Sequence, residues 1–191
     1  FVFIFLSIII LFKPNLSLSI EPDVFIQSTV NRAAQTLSSN LTKNERIEQL
    51  QNIALETVDI EGISLYSLGQ YRNTITDEQL YRYKDVFKKY FLISFSSRLA
   101  EYTNPEIDVY AKKKINDKYT IVLSKLIGTE KRPEVKIDWR VYTNDPKNLL
   151  IRDLIIEGLS LARTQKEEFN SIINSNNDDI ESLIESLSNF S

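Results

Sequence analysis

The chain contains neither cysteine nor histidine in its 191 residues. Without cysteine there is no disulfide, no thiol nucleophile and no thiolate metal ligand, and without histidine the commonest general base and zinc ligand are missing as well. A dominant positive charge is also lacking: 23 basic residues against 26 acidic ones leave a formal net charge of −3. Nucleic acid as a main partner is disfavoured on that ground, because neutralising phosphates takes a basic face. The length corresponds to one domain, able to bury about 70% of the surface its unfolded chain exposes.

Residues 1–12, FVFIFLSIIILF, form an almost unbroken apolar run. It is shorter than the roughly 20 residues needed to cross a hydrocarbon core of about 30 Å, and it reads as the apolar region of a secretory signal. Lys13 and Pro14 interrupt it, and Ser17 and Ser19 then supply small residues for a cut before Ile20. The start has no initiator methionine and no basic region, which suggests trimming. The expected organisation is a signal peptide over 1–19 and a single domain over 20–191, exported and without a cysteine for a lipid anchor. A buried N-terminal strand or helix is the alternative.

The domain is organised around residues 76–102, TDEQLYRYKDVFKKYFLISFSSRLAEY. Thr76 and Gln79 have the spacing of a capping box, in which the threonine hydroxyl accepts from the backbone N–H three residues on and the glutamine reaches back. Leu80, Tyr83, Phe87, Phe91, Phe95, Leu99 and Tyr102 then recur at helical spacing, along roughly 39 Å at about 1.5 Å per residue. Between Tyr90 and Phe95 the apolar residues continue almost around the helix, with Leu92 and Ile93 off the main stripe, so the middle must be covered on two sides. Two readings fit: a central core helix, or a helix with one side on the core and the other walling an apolar cavity.

Residues 20–69 read as helices. Glu21-Pro22-Asp23 opens the first, with Val24, Val30, Ala34 and Leu37 on its apolar side. A second spans about 43–58 and a shorter one 59–68, with Gly69 able to close it in a left-handed conformation. After Pro105 the period changes to two. Strands are expected at 107–115 and 119–127, joined by Asn116 and Asp117, which tolerate the positive φ of a tight hairpin, then through Val135, Ile137, Trp139 and Val141, and at 149–156. Lys112, Lys113 and Lys114 read as a solvated strand end, with a lipid-headgroup role as the alternative. Two helices follow, the second carrying Ile180, Leu183, Ile184 and Leu187. Four strands at hairpin spacing with helices to one side make an α+β fold on a four-stranded antiparallel twisted sheet.

Residues 153–173, DLIIEGLSLARTQKEEFNSII, resemble the signature of the MlaC (toluene-tolerance auxiliary) family of periplasmic phospholipid-binding proteins, through Asp153, Glu157, Gly158, Leu159, Ser160, Leu161, Lys166, Phe169 and Ile172. Leu68-Gly69, the Thr76 to Gln79 box, the Phe87, Tyr90 and Tyr102 spacing and the strand Ile137 to Val141 fall in the family's order. The likeness spans about 20–187. Tyr71-Arg72-Asn73 and Gln165-Lys166 depart from the family's aromatic-Trp-Arg and Tyr-Arg, so contacts made by those residues do not carry over. The resemblance implies a nuclear-transport-factor-like cone, with helices packed on the concave side of the sheet and helices added at both ends. It also implies a periplasmic carrier passing phospholipid between an outer-membrane lipoprotein complex and an inner-membrane ABC transporter with an MCE-domain subunit, thereby maintaining outer-membrane lipid asymmetry. No cofactor is expected, and the bound phospholipid is cargo.

Carriage also follows from energetics. About thirty methylenes cost roughly 24 kcal/mol to hold naked in water at about 0.8 kcal/mol each, so a soluble carrier needs an apolar enclosure. Candidate wall residues are Leu65, Leu68, Leu92, Phe95, Leu123, Ile137, Trp139 and Val141, with plain core packing the alternative for each. Arg82, Lys84, Lys88, Lys89, Lys113 and Lys114 form a candidate set for transient electrostatic docking to membrane partners around the cavity mouth; ordinary solubilising charge is the alternative. Two other functions compete: an enzyme of the same cone with Asp138 or Asp153 as general base, and a pocketless periplasmic interaction module. Asp138 is expected to point outward, whereas Asp153 is expected to share a strand face with Ile151 and Ile155, as a base or as a buried carboxylate bonded to backbone donors.

Overall fold

A computed structural model of the chain describes residues 20–130 and 132–190. The apolar run 1–12 and the Ser17 and Ser19 cleavage signal lie outside the described residues. Helices α1 (Pro22–Leu37), α2 (Lys43–Thr57) and α3 (Ile60–Ser67) come first, followed by a 3₁₀ turn at Gly69–Asn73 and the long helix α4 (Asp77–Leu99). Pro22 sits in the first turn of α1, where its missing N–H is no loss. Thr42 with Glu45 and Thr76 with Gln79 form reciprocal capping boxes on α2 and α4. Gly69 adopts φ +58, and a Cβ there would approach the Lys166 side chain to 2.8 Å. Helix α4 closes on Ala100, so its 23 residues stop short of Tyr102 and span about 34 Å.

The sheet is an antiparallel meander of β1 (Ile107–Lys114), β2 (Tyr119–Leu126), β3 (Val135–Tyr142), β4 (Leu150–Ile156) and β5 (Leu159–Ser160), in that spatial order. The fifth strand exceeds the expected four. It forms because Glu157 at φ 49 and Gly158 at φ 84 make a tight two-residue turn that returns Leu159 and Ser160 onto Ile156 and Ile155. The β1–β2 connection differs from expectation, since neither Asn116 nor Asp117 takes a positive φ. Instead the Asn116 side chain accepts from the backbone N–H groups of Lys118 and Tyr119, at 2.9 and 3.0 Å. Helices α5 (Leu161–Ser175) and α6 (Ile180–Ser188) complete the described chain.

A register shift in β3–β4 corrects the facing of Asp153. Arg140 opposes Asp153 while Val141 opposes Ile151, so Arg152 is the extra residue of a bulge. Ile151 therefore lies on the face of Val141 and Trp139, and Asp153 on the other face with Ile155.

Among the described residues, most of the buried apolar side chains gather into three clusters. One joins α3, α4, α5 and α6 through Ile63, Leu68, Tyr83, Phe87, Phe169, Ile173 and Leu183. A second lays Ile26 and Val30 of α1 on Val122, Trp139, Val141 and Ile151 of the sheet. The third is Leu37, Leu50 and Ala100. Val24 of α1 is 58% exposed and does not belong to the inner side, because Ile26 and Val30 take that place. Lys112 is not a free strand end: its ammonium reaches Glu21 at 2.7 Å and Asp23 at 2.6 Å, tying α1 to β1.

Candidate functional site

The first and second clusters do not merge, and Val58 packs against both. Helix α4 packs on α2, α3 and α6, and between it and the sheet lies a cavity of about 210 Å³. Its walls come from both cores: Phe87, Tyr90, Phe91 and Phe95 of α4, Ile63 of α3, Trp139, Ile151 and Leu154 of the sheet, and Leu161 and Ala162 of α5. The cavity is a seam between two separately packed bodies.

Sequence and packing together fix that lining. At helical spacing Phe87, Phe91 and Phe95 fall in one column, and their rings overlap in sequence, with centroids 6.0 and 5.6 Å apart and interplanar angles of 22° and 10°. Phe169 of α5 meets Phe87 edge-on at 6.0 Å and backs it from within the helical core. Phe87 is fully buried there, whereas Tyr90, Phe91, Ser94 and Phe95 are half-buried, as side chains facing unfilled space must be. Across the seam, Trp139 donates from Nε1 to Ser124 Oγ at 2.8 Å, and Ser124 donates on to the Ile137 carbonyl at 2.8 Å. With its polar edge satisfied, the indole presents a purely apolar face to the cavity.

Several polar groups at or beside the walls are engaged. Tyr90 donates to Gln165 Oε1 at 3.1 Å, and Gln165 donates to Glu168 at 3.2 Å. Tyr83, just inside the helical core, donates to the Ser64 carbonyl at 3.0 Å, and its burial pushes its hydroxyl pKa well above the ordinary range. Asp153 is 4% exposed and accepts from Ser160 Oγ at 2.6 Å and from the Ala162 backbone N–H at 3.0 Å. This carboxylate holds the start of α5 and is occupied by those donors, the role a buried carboxylate plays when it fixes a helix N-terminus. Asp138 shares the sheet face of Asp153 and Ile155, away from Trp139, with a side chain 16% exposed, so it does not point freely outward as expected. Its Oδ2 lies 3.4 Å from Lys136, and its Oδ1 is buried without a hydrogen-bond partner among the described residues. Among those residues no cluster of carboxylates could hold a metal ion, and no helix is long and apolar enough to cross a membrane.

Of the eight expected wall residues, Phe95 and Trp139 line the cavity. Leu68 and Val141 are fully buried in the helical and sheet cores respectively. Leu92 packs against the helical cluster and Ile137 against the sheet cluster, both outside the lining. Leu123 pairs with Asp138 and Ala111, which puts it on the far face of the sheet, and Leu65 is half-buried away from the cavity. The cavity thus opens on the main aromatic stripe of α4 and not on the Leu92 side, because α2 covers that other flank, where Gln51 reaches Ser96 at 3.5 Å.

None of the six expected docking cations lines the cavity. Arg82 pairs with Glu181, Lys84 with Glu61, Lys89 with Asp85 and Lys114 with Asp117, while Lys88 and Lys113 have no ion-pair partner among the described residues. Val58, Phe91, Leu154, Leu161 and Arg98 are among the lining residues that the candidate set lacked. Phe91 was legible from its helical spacing to Phe87 and Phe95; the others required knowing which surfaces face the seam.

Comparison with known proteins agrees with this architecture. The family model described as "MlaC protein" matches residues 27–189. A toluene tolerance protein, ttg2D, of Pseudomonas putida is 24% identical over 170 residues, covering 86% of this chain and 78% of that protein. Among solved structures, a phospholipid-binding protein from Ralstonia solanacearum, in complex with a phospholipid, superposes with a TM-score of 0.74 at 18% identity. That superposition covers 88% of this chain and 95% of the other.

Proposed function

This chain belongs to the MlaC family, and from that premise we propose that it is a carrier that holds the acyl chains of a phospholipid in the seam between its helical and sheet cores. The observation that carries the proposal is the seam itself: an apolar cavity walled by α4 on one side and Trp139, Ile151 and Leu154 on the other. At about 210 Å³ it is smaller than the roughly 300–1,000 Å³ of a small-molecule site, so two tails enter by parting the walls. Parting two cores joined through Val58 disrupts less packing than opening either core. The tails are as well solvated in such a seam as in a bilayer, so loading is close to thermoneutral and direction comes from partners.

The apolar run 1–12 with Ser17 and Ser19, read as an export signal, supports a periplasmic location. The cargo would pass between an outer-membrane lipoprotein complex and an inner-membrane ABC transporter with an MCE-domain subunit, which maintains lipid asymmetry. Asp153, with each oxygen bonded to a donor at the start of α5, has the role of a helix anchor, which gives no support to a general base at that position. The test is lipid uptake: protein incubated with liposomes carrying a labelled phospholipid, freed of vesicles by sedimentation, should retain label at about one lipid per chain. A supernatant without label contradicts carriage.

A further inference from the structure

Arg98 is the basic residue among the side chains lining the cavity. It is exposed, and among the described residues its side chain has no hydrogen bond, ion pair or aromatic partner. Its position in the last turn of α4 suits a cation, since helix C-termini favour positive charge. That preference does not account for its place at the end of the lining stripe Phe87, Phe91, Ser94, Phe95, which leads from the buried inner end of the cavity to solvent.

The length of that stripe is informative. From Phe87 to Arg98 is eleven residues, about 16 Å at 1.5 Å per residue. One leaflet of a bilayer, half of a core about 30 Å thick, gives acyl chains a depth of about 15 Å before the phosphate layer begins. A lipid whose tails end against Phe87 would therefore bring its phosphodiester level with Arg98. Of the two carboxylates in the lining, Asp153 is buried under the donors of Ser160 and Ala162, and Glu168 is joined through Gln165 to Tyr90, eight residues and about 12 Å from Arg98 along the helix. The cation is thus kept apart from the one exposed carboxylate that could compete for it at the cavity wall.

Resting on the carrier proposal above, we infer that Arg98 binds the phosphate of the lipid headgroup, so that the cavity selects phosphate-bearing diacyl lipids over neutral lipids with the same tails. A guanidinium suits this task because its planar fork presents parallel donors to a phosphate, whereas a lysine offers a point charge. The alcohol beyond the phosphate is left in solvent, so ethanolamine and glycerol headgroups are held alike.

The experiment compares two probes with identical acyl chains, a phosphatidylglycerol and a diacylglycerol, taken up from liposomes by the full chain, by Arg98→Gln and by Arg98→Lys. Wild-type protein should prefer the phosphatidylglycerol. In Arg98→Gln the ratio of the two uptakes should fall about tenfold, the loss expected for removing a hydrogen-bonded charge partner, and Arg98→Lys should recover part of it. Unfolding of the variant would lower both uptakes together and is monitored by circular dichroism. A ratio unchanged in Arg98→Gln, or an equal loss of both lipids by a folded variant, overturns the inference and leaves carriage standing. Wild-type protein that takes up neither probe overturns carriage, and the inference with it.

Discussion

Replacing Phe95 by glutamate tests the placement of the cavity. Phe95 is half-buried, stacks on Phe91 at 5.6 Å and faces the seam, so its removal leaves both cores with their own packing. The lost ring contact amounts to about 0.5–1.5 kcal/mol of fold stability. A carboxylate in the lining has a larger effect on the cargo. Stripped of water it would cost several kcal/mol or take up a proton, so it keeps its hydration shell and holds the tails away. Excluding three methylenes at about 0.8 kcal/mol each amounts to roughly 2.4 kcal/mol, or about fifty-fold weaker retention of phospholipid. Uptake from liposomes, measured beside a thermal melt, gives both numbers, and Tyr81→Glu, at a residue 77% exposed on the outer side of the same helix, is the control. If Phe95→Glu melts cooperatively and retains lipid within two-fold of wild type, the tails do not lie along the Phe87–Phe95 column.

Three further outcomes are expected. Asp153→Asn weakens the bonds from Ser160 and Ala162 by about 1.5–3 kcal/mol, lowering Tm by about 3–12 °C in a chain of this size; a variant that melts like wild type yet takes up no lipid would give Asp153 a direct part in binding. Hydrogen bonding to Lys112 holds the Asp23 carboxyl below the ordinary aspartate range, and Asp23 and Glu21 hold the Lys112 ammonium above the ordinary lysine range. The tie of α1 to β1 is therefore complete at neutral pH, lost on the acid side as pH falls through the depressed carboxyl value and on the alkaline side as pH rises through the raised ammonium value. Hydrogen exchange across Pro22–Leu37 should show that window and lose it in Lys112→Ala, and protection independent of both would refute it. Charge reversal at Lys88 and Lys89 should slow delivery of lipid to the transporter subunit and flatten its salt dependence while leaving bound lipid in place; unchanged transfer across a salt titration would make these residues a solvated face.

Much of the fold was legible because local signals and periodicity agreed. Thr76 and Gln79 fixed the start of α4, the alternation from Val135 to Val141 fixed β3, and Gly69 marked the end of α3. Signals that depend on pairing were not legible. Nothing local to Arg152 announces the bulge that turns Asp153 away from Ile151, since the register shift is set by how β4 docks on β3. The wall residues were harder still. Leu68, Val141, Leu92 and Phe95 are alike as apolar residues on periodic elements, and what separates them is whether the facing surface belongs to the same core or lies across the seam. Trp139 and Phe95 face the seam, whereas Leu68 and Val141 face their own clusters. Arg98 went unnoticed because a basic residue in the last turn of a helix has an ordinary explanation from sequence alone.

The most direct test of lipid carriage is native mass spectrometry of the protein purified from cells without detergent, followed by organic extraction of the same sample. Carriage in the seam predicts a bound species heavier than the chain by the mass of one diacyl phospholipid, which dissociates on activation, is recovered in the extract and is absent from Phe95→Glu. A chain that arrives free of lipid, and stays free after exposure to phospholipid liposomes, would contradict it.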